Sequence, residues 1–313
     1  MTTQDFVSYR DRLVGACSKV IVGKEDEITL IAVCYLCGGH ILLEDVPGTG
    51  KTMLFRAFAK ACGGSFKRIQ FTPDVMPSDV TGINFYNMKT GEFEFRPGPV
   101  FADMVLADEI NRATPRTQSS LLEAMAEGQV SVDGVSRALS GTFMVAATQN
   151  PIESYGTFPL PEAQMDRFMM RLKLGYMSRE EEIGVALRKD TNDLIAELRE
   201  VVTAEETLRL RAQLDEIEIS EPVMDYLMDI VEKTRNDPRF NIGASPRGTI
   251  SLCKACRAYA AFMGRPFVTP DDVKMLAPYV LTHRLYYRTA VGSAEAQTLF
   301  SEMLNEIPVP TEE

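Results

Sequence analysis

Apolar residues recur along this chain in two rhythms that alternate and then separate. Between residues 4 and 20, Phe6, Leu13, Cys17 and Val20 are spaced with charges between them, which predicts an amphipathic helix against a core. Gly23 breaks that pattern, and a second helix is expected from there to Gly38, so residues 21–25 read as a plain helix-helix turn. The rhythm then shortens. Runs at 41–43, 67–71, 104–107, 142–147 and 169–174 have the length and composition of buried strands, with helical spacing at 51–62 and, after the cap Thr114 and Pro115, to about Glu127. Runs at 83–87 and 92–96 flank Thr90-Gly91, and runs at 130–132 and 135–139 flank Asp133-Gly134, so two β-hairpins are expected between the core elements. Residues 72–82 hold too much Pro and Asp for regular structure throughout.

From Ser178 the strand signals stop. Helical spacing follows at 178–189, 192–201, 204–214, 221–235, 246–263 and 270–278, with Ser245-Pro246 and Thr269-Pro270-Asp271-Asp272 as starts. The expected architecture is therefore an α/β domain over 1–175, a parallel sheet with helices on both faces and two hairpin inserts, followed by an all-α domain over 176–313.

Composition narrows the function. A chain of 313 residues, 45% hydrophobic and 25% charged, can bury a large core. Its 33 basic residues against 44 acidic ones leave a net charge of −11, which opposes a main role in wrapping nucleic acid. The N-terminus mixes charges early, and the most apolar stretch, 28–43, is interrupted by Gly38, Gly39 and His40. No signal peptide or membrane span is expected, and a cytoplasmic protein follows. Two of the Cys-x-x-Cys type, Cys34 with Cys37 and Cys253 with Cys256, invite a zinc reading. Both lie in apolar, helix-periodic sequence and far apart in the chain, so buried small hydrophobes explain them better.

The candidate chemistry starts where the 41–43 run breaks into Pro47, Gly48, Thr49 and Gly50 before a helix. This is the layout of a phosphate-binding loop: glycines let several backbone N–H groups point at one anion, and the helix dipole adds to them. Lys51 would reach the β- and γ-phosphates of ATP and the Thr52 hydroxyl would bind Mg²⁺. The strict pattern has Gly where this chain has Asp45, and an ordinary strand-turn-helix corner is the alternative. Asp108 and Glu109 end an apolar strand, where a doubly wound sheet presents ligand-binding groups. Asp108 is suited to hold Mg²⁺ through water and Glu109 to polarise an attacking water; acids that merely begin a solvated loop are the alternative. Thr148-Gln149-Asn150-Pro151 offers a polar amide at another strand end, able to orient water or contact the γ-phosphate. An added arginine can be worth ~10³ to 10⁵ in phosphoryl transfer, which makes Arg167 a candidate against the alternative of a surface salt bridge. Arg247, at the second position of a helix, opposes the dipole and needs a partner anion, either ATP phosphate or a surface carboxylate.

This ordered set resembles an AAA+ ATPase, and most closely the MoxR family, over nearly the whole chain. The carrying stretches are 44–52, 70–74, 108–113, 147–151, 160–168 and 243–247. The resemblance implies that Val22 and Gly23 flank the adenine, that Lys51 and Thr52 belong to Walker A, and that Asp108 and Glu109 belong to Walker B. It further implies Asn150 as the γ-phosphate sensor, Arg167 as a finger supplied to the neighbouring subunit, and Arg247 as a second sensor in the lid. The hairpins would correspond to the helix-2 insert and the pre-sensor hairpin that face a ring's pore. Partners follow from the same likeness: a homo-oligomeric, hexameric ring, and protein clients, among them proteins with a von Willebrand A domain. Three readings of function remain: a chaperone-like remodeller driven by ATP, a nucleic-acid motor, and a non-catalytic nucleotide switch. Acidity weighs against the second, and the joint presence of Glu109, Asn150 and Arg167 against the third.

Overall fold

The computed structural model describes residues 3–44, 48–149, 156–188, 191–289 and 292–310. Among them, five strands form one parallel sheet: β1 (Ile41–Glu44), β2 (Phe66–Gln70), β3 (Met104–Asp108), β4 (Met144–Gln149) and β5 (Met170–Leu172). Their order is β2-β3-β4-β1-β5. Alternate side chains serve opposite faces, as the two-residue period requires. Ile41, Leu43, Leu106 and Ala146 pack with α1 (Gln4–Ser18), α2 (Glu25–Leu36) and α3 (Lys51–Ala61). Leu42, Val105, Ala107 and Val145 pack with Leu121 and Leu122 of α4 (Pro115–Glu127).

β4 begins and ends two residues later than the run at 142–147 suggests. Thr142 and Ser140 are spent on a turn instead, where Ser140 Oγ donates to Asp103 Oδ1 at 2.6 Å. The shift carries Thr148 into the sheet. Within the irregular 72–82 stretch a short helix, Pro77–Thr81, starts where Asp79 accepts from the Met76 N–H at 2.9 Å. Both hairpins form, Gly82–Asn87 with Glu92–Pro97 and Gln129–Val132 with Val135–Ala138. They are joined by Asn84 Nδ2 donating to Asp133 Oδ2 at 2.6 Å and by Arg137 stacked 3.9 Å over the Phe95 ring.

After Leu172 the described chain is mostly helical, and Phe240–Ile242 pairs antiparallel with Tyr286–Tyr287, which the sequence reading lacks. A helix at Ser293–Asn305, also absent from that reading, buries Ala296, Phe300, Met303 and Leu304. The helix that begins at Pro270 runs through Pro278 to Leu281, because burial of Val280 and Leu281 outweighs the lost backbone bond. The apolar core of the helical part is continuous with that of α1–α3. Tyr9 and Thr207 share a hydrogen bond of 2.8 Å, and Arg211 donates to the carbonyls of Leu36 and Tyr35 at the end of α2. No helix among the described residues is long and apolar enough to cross a membrane.

The two Cys-x-x-Cys pairs, distant in sequence, come together where α2 packs on the helix Pro246–Phe262, so chain distance was no argument against a joint site. Cys37 Sγ lies 3.4 Å from the Lys254 carbonyl, and burial pushes the Cys37 thiol up to about 12 and those of Cys34 and Cys256 upward. Among the described residues no group of three or more His, Cys, Asp or Glu is arranged to hold a metal ion.

Both histidines of the chain are buried. His40, just before β1, accepts the Val145 N–H on Nδ1 at 3.0 Å, so Nε2 carries the proton donated to the Met125 carbonyl at 3.1 Å. Burial lowers its pKa from 6.5 to about 4. The unfolded chain then takes the proton first, so stability is fully present above pH ~6.5 and falls as pH drops toward 4, by roughly 3 kcal/mol for this group alone. His40→Gln should be less stable at pH 7 but should lose about 2 kcal/mol less between pH 7 and 4.5, read as urea unfolding free energies. An undiminished pH dependence in the variant would contradict a neutral His40.

Candidate functional site

At the carboxyl ends of β1, β3 and β4 lies a cleft of ≈ 390 Å³ lined by Gly48, Gly50, Lys51, Thr52, Asp108 and Glu109, together with Arg68, Gln70, Thr148 and Gln149. Gly48 and Gly50 adopt φ of 86° and 83°, left-handed values that favour glycine. A Cβ on either would meet no atom within 4 Å, so both glycines border open space in front of α3. That is the room an anion needs at a helix N-terminus. Lys51 and Thr52 are the first two residues of α3. Pro47 lies outside the described residues, as does Asn150.

Asp108 and Glu109 are held in a polar lattice. Arg68 of β2 donates to Asp108 Oδ2 from Nε at 3.1 Å and from a terminal nitrogen at 2.6 Å, while Thr148 Oγ1 donates to Oδ1 at 2.6 Å. The same Thr148 oxygen accepts the Glu109 N–H at 2.8 Å. Glu109 sits at φ 57°, ψ 49°, the left-handed region that costs a residue with a Cβ of order 1 kcal/mol or more. That backbone turn aims its carboxylate back over the strand ends, where Gln70 Nε2 donates to Oε2 at 3.0 Å and Arg112 Nε at 2.9 Å. A hydroxyl from Thr52, a carboxylate from Asp108 and an open glycine cradle are the oxygen donors and the space that a magnesium-bound triphosphate requires.

Sequence reasoning singled out neither Thr148 nor Arg68. Thr148 was expected beyond the strand, and Arg68 resembles any exposed strand cation; their roles come from the β2-β3-β4 adjacency. Val22 and Gly23 are at the same end of the sheet but outside the cleft lining. The following Lys24 donates to the Leu174 carbonyl after β5, and the Glu181 carboxylate packs onto Gly23.

Arg167 and Arg247 are elsewhere. β5 runs parallel to β1 with Ile41 beside Met170, so Arg167, three residues before Met170, stands at the amino end of the sheet. The length of β1, roughly 13 Å of rise, and the loop after it separate it from Lys51. Arg167 donates to the Leu122 carbonyl of α4 and lines two adjoining clefts, one with Glu123, Glu127 and Gln164, the other with Asp166, Arg247 and Lys254. Arg247 makes no hydrogen bond or ion pair with any described residue and lines this second cleft, not the one that holds Lys51. Two arginines and a lysine thus converge on a groove of an otherwise acidic protein.

The profile of the ATPase family associated with various cellular activities (AAA) matches residues 40–170, and that of the AAA lid domain matches residues 232–303. The chain is 48% identical to the YeaC protein of Bacillus subtilis (strain 168), over 94% of this chain and 93% of that one. It is 36% identical to Chaperone MoxR1 of Mycobacterium tuberculosis, over 96% of this chain and 82% of that one. The crystal structure of a candidate ATPase from Cytophaga hutchinsonii superposes with a TM-score of 0.88 at 36% identity, covering 98% of both chains. Matched by the models of the ATPase and lid domains and, over nearly its full length, by MoxR relatives, this chain belongs to the MoxR family of AAA+ ATPases.

Proposed function

We propose that this chain hydrolyses ATP as part of a homo-oligomeric, hexameric ring in the cytoplasm and uses the cycle to remodel or activate partner proteins. The observation that carries this reading is the split of the machinery between two faces. Lys51, Thr52, Asp108 and Glu109 share one cleft, whereas Arg167 and Arg247 share a groove at the opposite end of the sheet. In a ring, the groove of one copy would face the cleft of the next.

In this mechanism the loop and Lys51 would bind the β- and γ-phosphates, and Thr52 and Asp108 would hold Mg²⁺, Asp108 through water. Bound there, Mg²⁺ would offset phosphate charge that develops during transfer. Glu109 takes the proton of the attacking water, for which its carboxylate must leave Gln70 or Arg112. Asn150 orients that water, and Val22 and Gly23 border the adenine. Arg167 and Arg247 stabilise the charge on the neighbour's phosphates. Residues 1–175 act as the nucleotide-binding part and 176–313 as the lid. The first hairpin supports a protein client: Tyr86, Met88 and Phe93 are 54%, 87% and 75% exposed, an apolar surface unlike a phosphate-binding one. Proteins carrying a von Willebrand A domain are the first clients to test.

Glu109→Gln should keep ATP binding and hydrolyse at least ~10²-fold more slowly in a phosphate-release assay. Normal turnover would remove Glu109 from the mechanism.

Arg167→Ala and Arg247→Ala should each keep ATP affinity within a few-fold and lose most turnover. Mixing either with Lys51→Ala, which keeps both arginines but has no usable cleft, should restore activity where each alone is dead. Co-assembly by size without recovery would argue that these arginines act within their own chain.

A further inference from the structure

One side chain in the lid has no assigned part in this chemistry yet grips the backbone on both sides of Arg167. Arg284 follows the helix Pro270–Leu281 in a short turn, and its side chain is 1% exposed. Its Nε donates to Asp166 Oδ1 at 2.8 Å, and its terminal nitrogens donate to the Phe168 carbonyl at 2.7 Å and the Met169 carbonyl at 3.2 Å. The neighbouring His283 adds Nε2 to the Phe168 carbonyl at 2.9 Å. The residues flanking Arg167 are therefore fixed from the lid. Asp166 Oδ1 accepts a second bond, 2.8 Å from Ser245 Oγ, and Ser245 caps the helix that carries Arg247 by accepting the Gly248 N–H at 3.1 Å. One carboxylate oxygen thus joins the segment of Arg167 to the helix of Arg247.

A buried guanidinium is costly unless its donors are matched, and a hydrophobic side chain would fill the same space more cheaply. Such a group is suited to specifying geometry, because its fork fixes several carbonyls at once. We propose that the Arg284–Asp166 pair is a positioning device that sets Arg167 and Arg247 as one fork for a single anion, the phosphates of a nucleotide held by a second copy of this chain. This rests on the reading that Arg167 serves a neighbour.

The test compares turnover, nucleotide affinity and mixing. Asp166→Ala should lower turnover by ~10-fold or more with ATP affinity kept within a few-fold, since a misplacement near 1 Å can cost ~10²-fold. Asp166→Asn keeps the accepting oxygen for both Arg284 and Ser245 and should stay within a few-fold of the parent. Asp166→Glu keeps the charge but displaces that oxygen, so it should lose turnover while folding normally, which covers the case in which the alanine variant does not fold. The triple variant Asp166→Ala/Arg167→Ala/Arg247→Ala should be no slower than the double variant Arg167→Ala/Arg247→Ala, because a residue acting only through two others adds nothing once both are gone. Mixed with Lys51→Ala, the Asp166→Ala chain should recover, as its own cleft is intact. Normal turnover in Asp166→Ala and Asp166→Glu, a triple variant markedly slower than Arg167→Ala/Arg247→Ala, or failure to recover where Arg167→Ala does, would each overturn the proposal. If Arg167→Ala itself fails to recover on mixing, the neighbour reading falls, while the triple-variant comparison still judges the positioning role.

Discussion

Every functional feature of this protein depends on the common direction of five strands. In a parallel sheet the carboxyl ends gather on one edge and the amino ends on the other, and the connections cross over on the faces. The chain places its glycine loop after β1 and its acids after β3 on the first edge, while the segment that leads into β5 puts Arg167 on the second. No side chain is long enough to span the strands between them. The cleft and the arginine groove are therefore separated by architecture, and under the proposed function a second copy would bring them together.

Within the cleft, the geometry depends on a few long-range polar contacts. Thr148 bonds both the Asp108 carboxylate and the Glu109 backbone, so one hydroxyl on β4 fixes the last residue of β3 and the one that follows it. The left-handed backbone at Glu109 is a local cost that the surrounding sheet sustains, as positive φ at a non-glycine residue requires. Arg68, Gln70 and Arg112 hold the two carboxylates from three sides. Across the sheet, Arg171 of β5 links Glu44, next to the loop, with Thr282 of the lid turn, at 3.2 and 2.8 Å. The end of β1, the lid turn and the Arg167 segment are thus parts of one bonded framework.

What could be read from sequence follows from how local each signal is. Gly48, Gly50, Lys51 and Thr52 carry their chemistry within a single turn, and Asp108-Glu109 end a run that can only be a buried strand. Their convergence needed only the family's strand order. Thr148, Arg68 and Asp166 gain their parts from partners 40, 40 and 118 residues away, and no periodicity announces that. The lid ladder is hidden for the same reason: Phe240–Ile242 and Tyr286–Tyr287 are too short to signal a strand and form only against each other. Ser293–Asn305 differs, since Ala296, Phe300, Met303 and Leu304 stand at helical spacing and were readable. For Arg247 the dipole argument asks for an anion, and the fold sets the residue in the groove beside Arg167 and Lys254, away from the chain's own cleft.

The central claim is that the chain's arginines complete a neighbour's site. The most direct measurement is the structure of the Glu109→Gln variant assembled with ATP and Mg²⁺, in which the nucleotide is trapped before hydrolysis. The account predicts the Arg167 guanidinium within hydrogen-bond reach of the γ-phosphate held by the adjacent copy, ~2.7–3.2 Å, with Arg247 on the same phosphates. An assembly in which Arg167 faces solvent, or in which either arginine folds back onto its own chain's nucleotide, would contradict it.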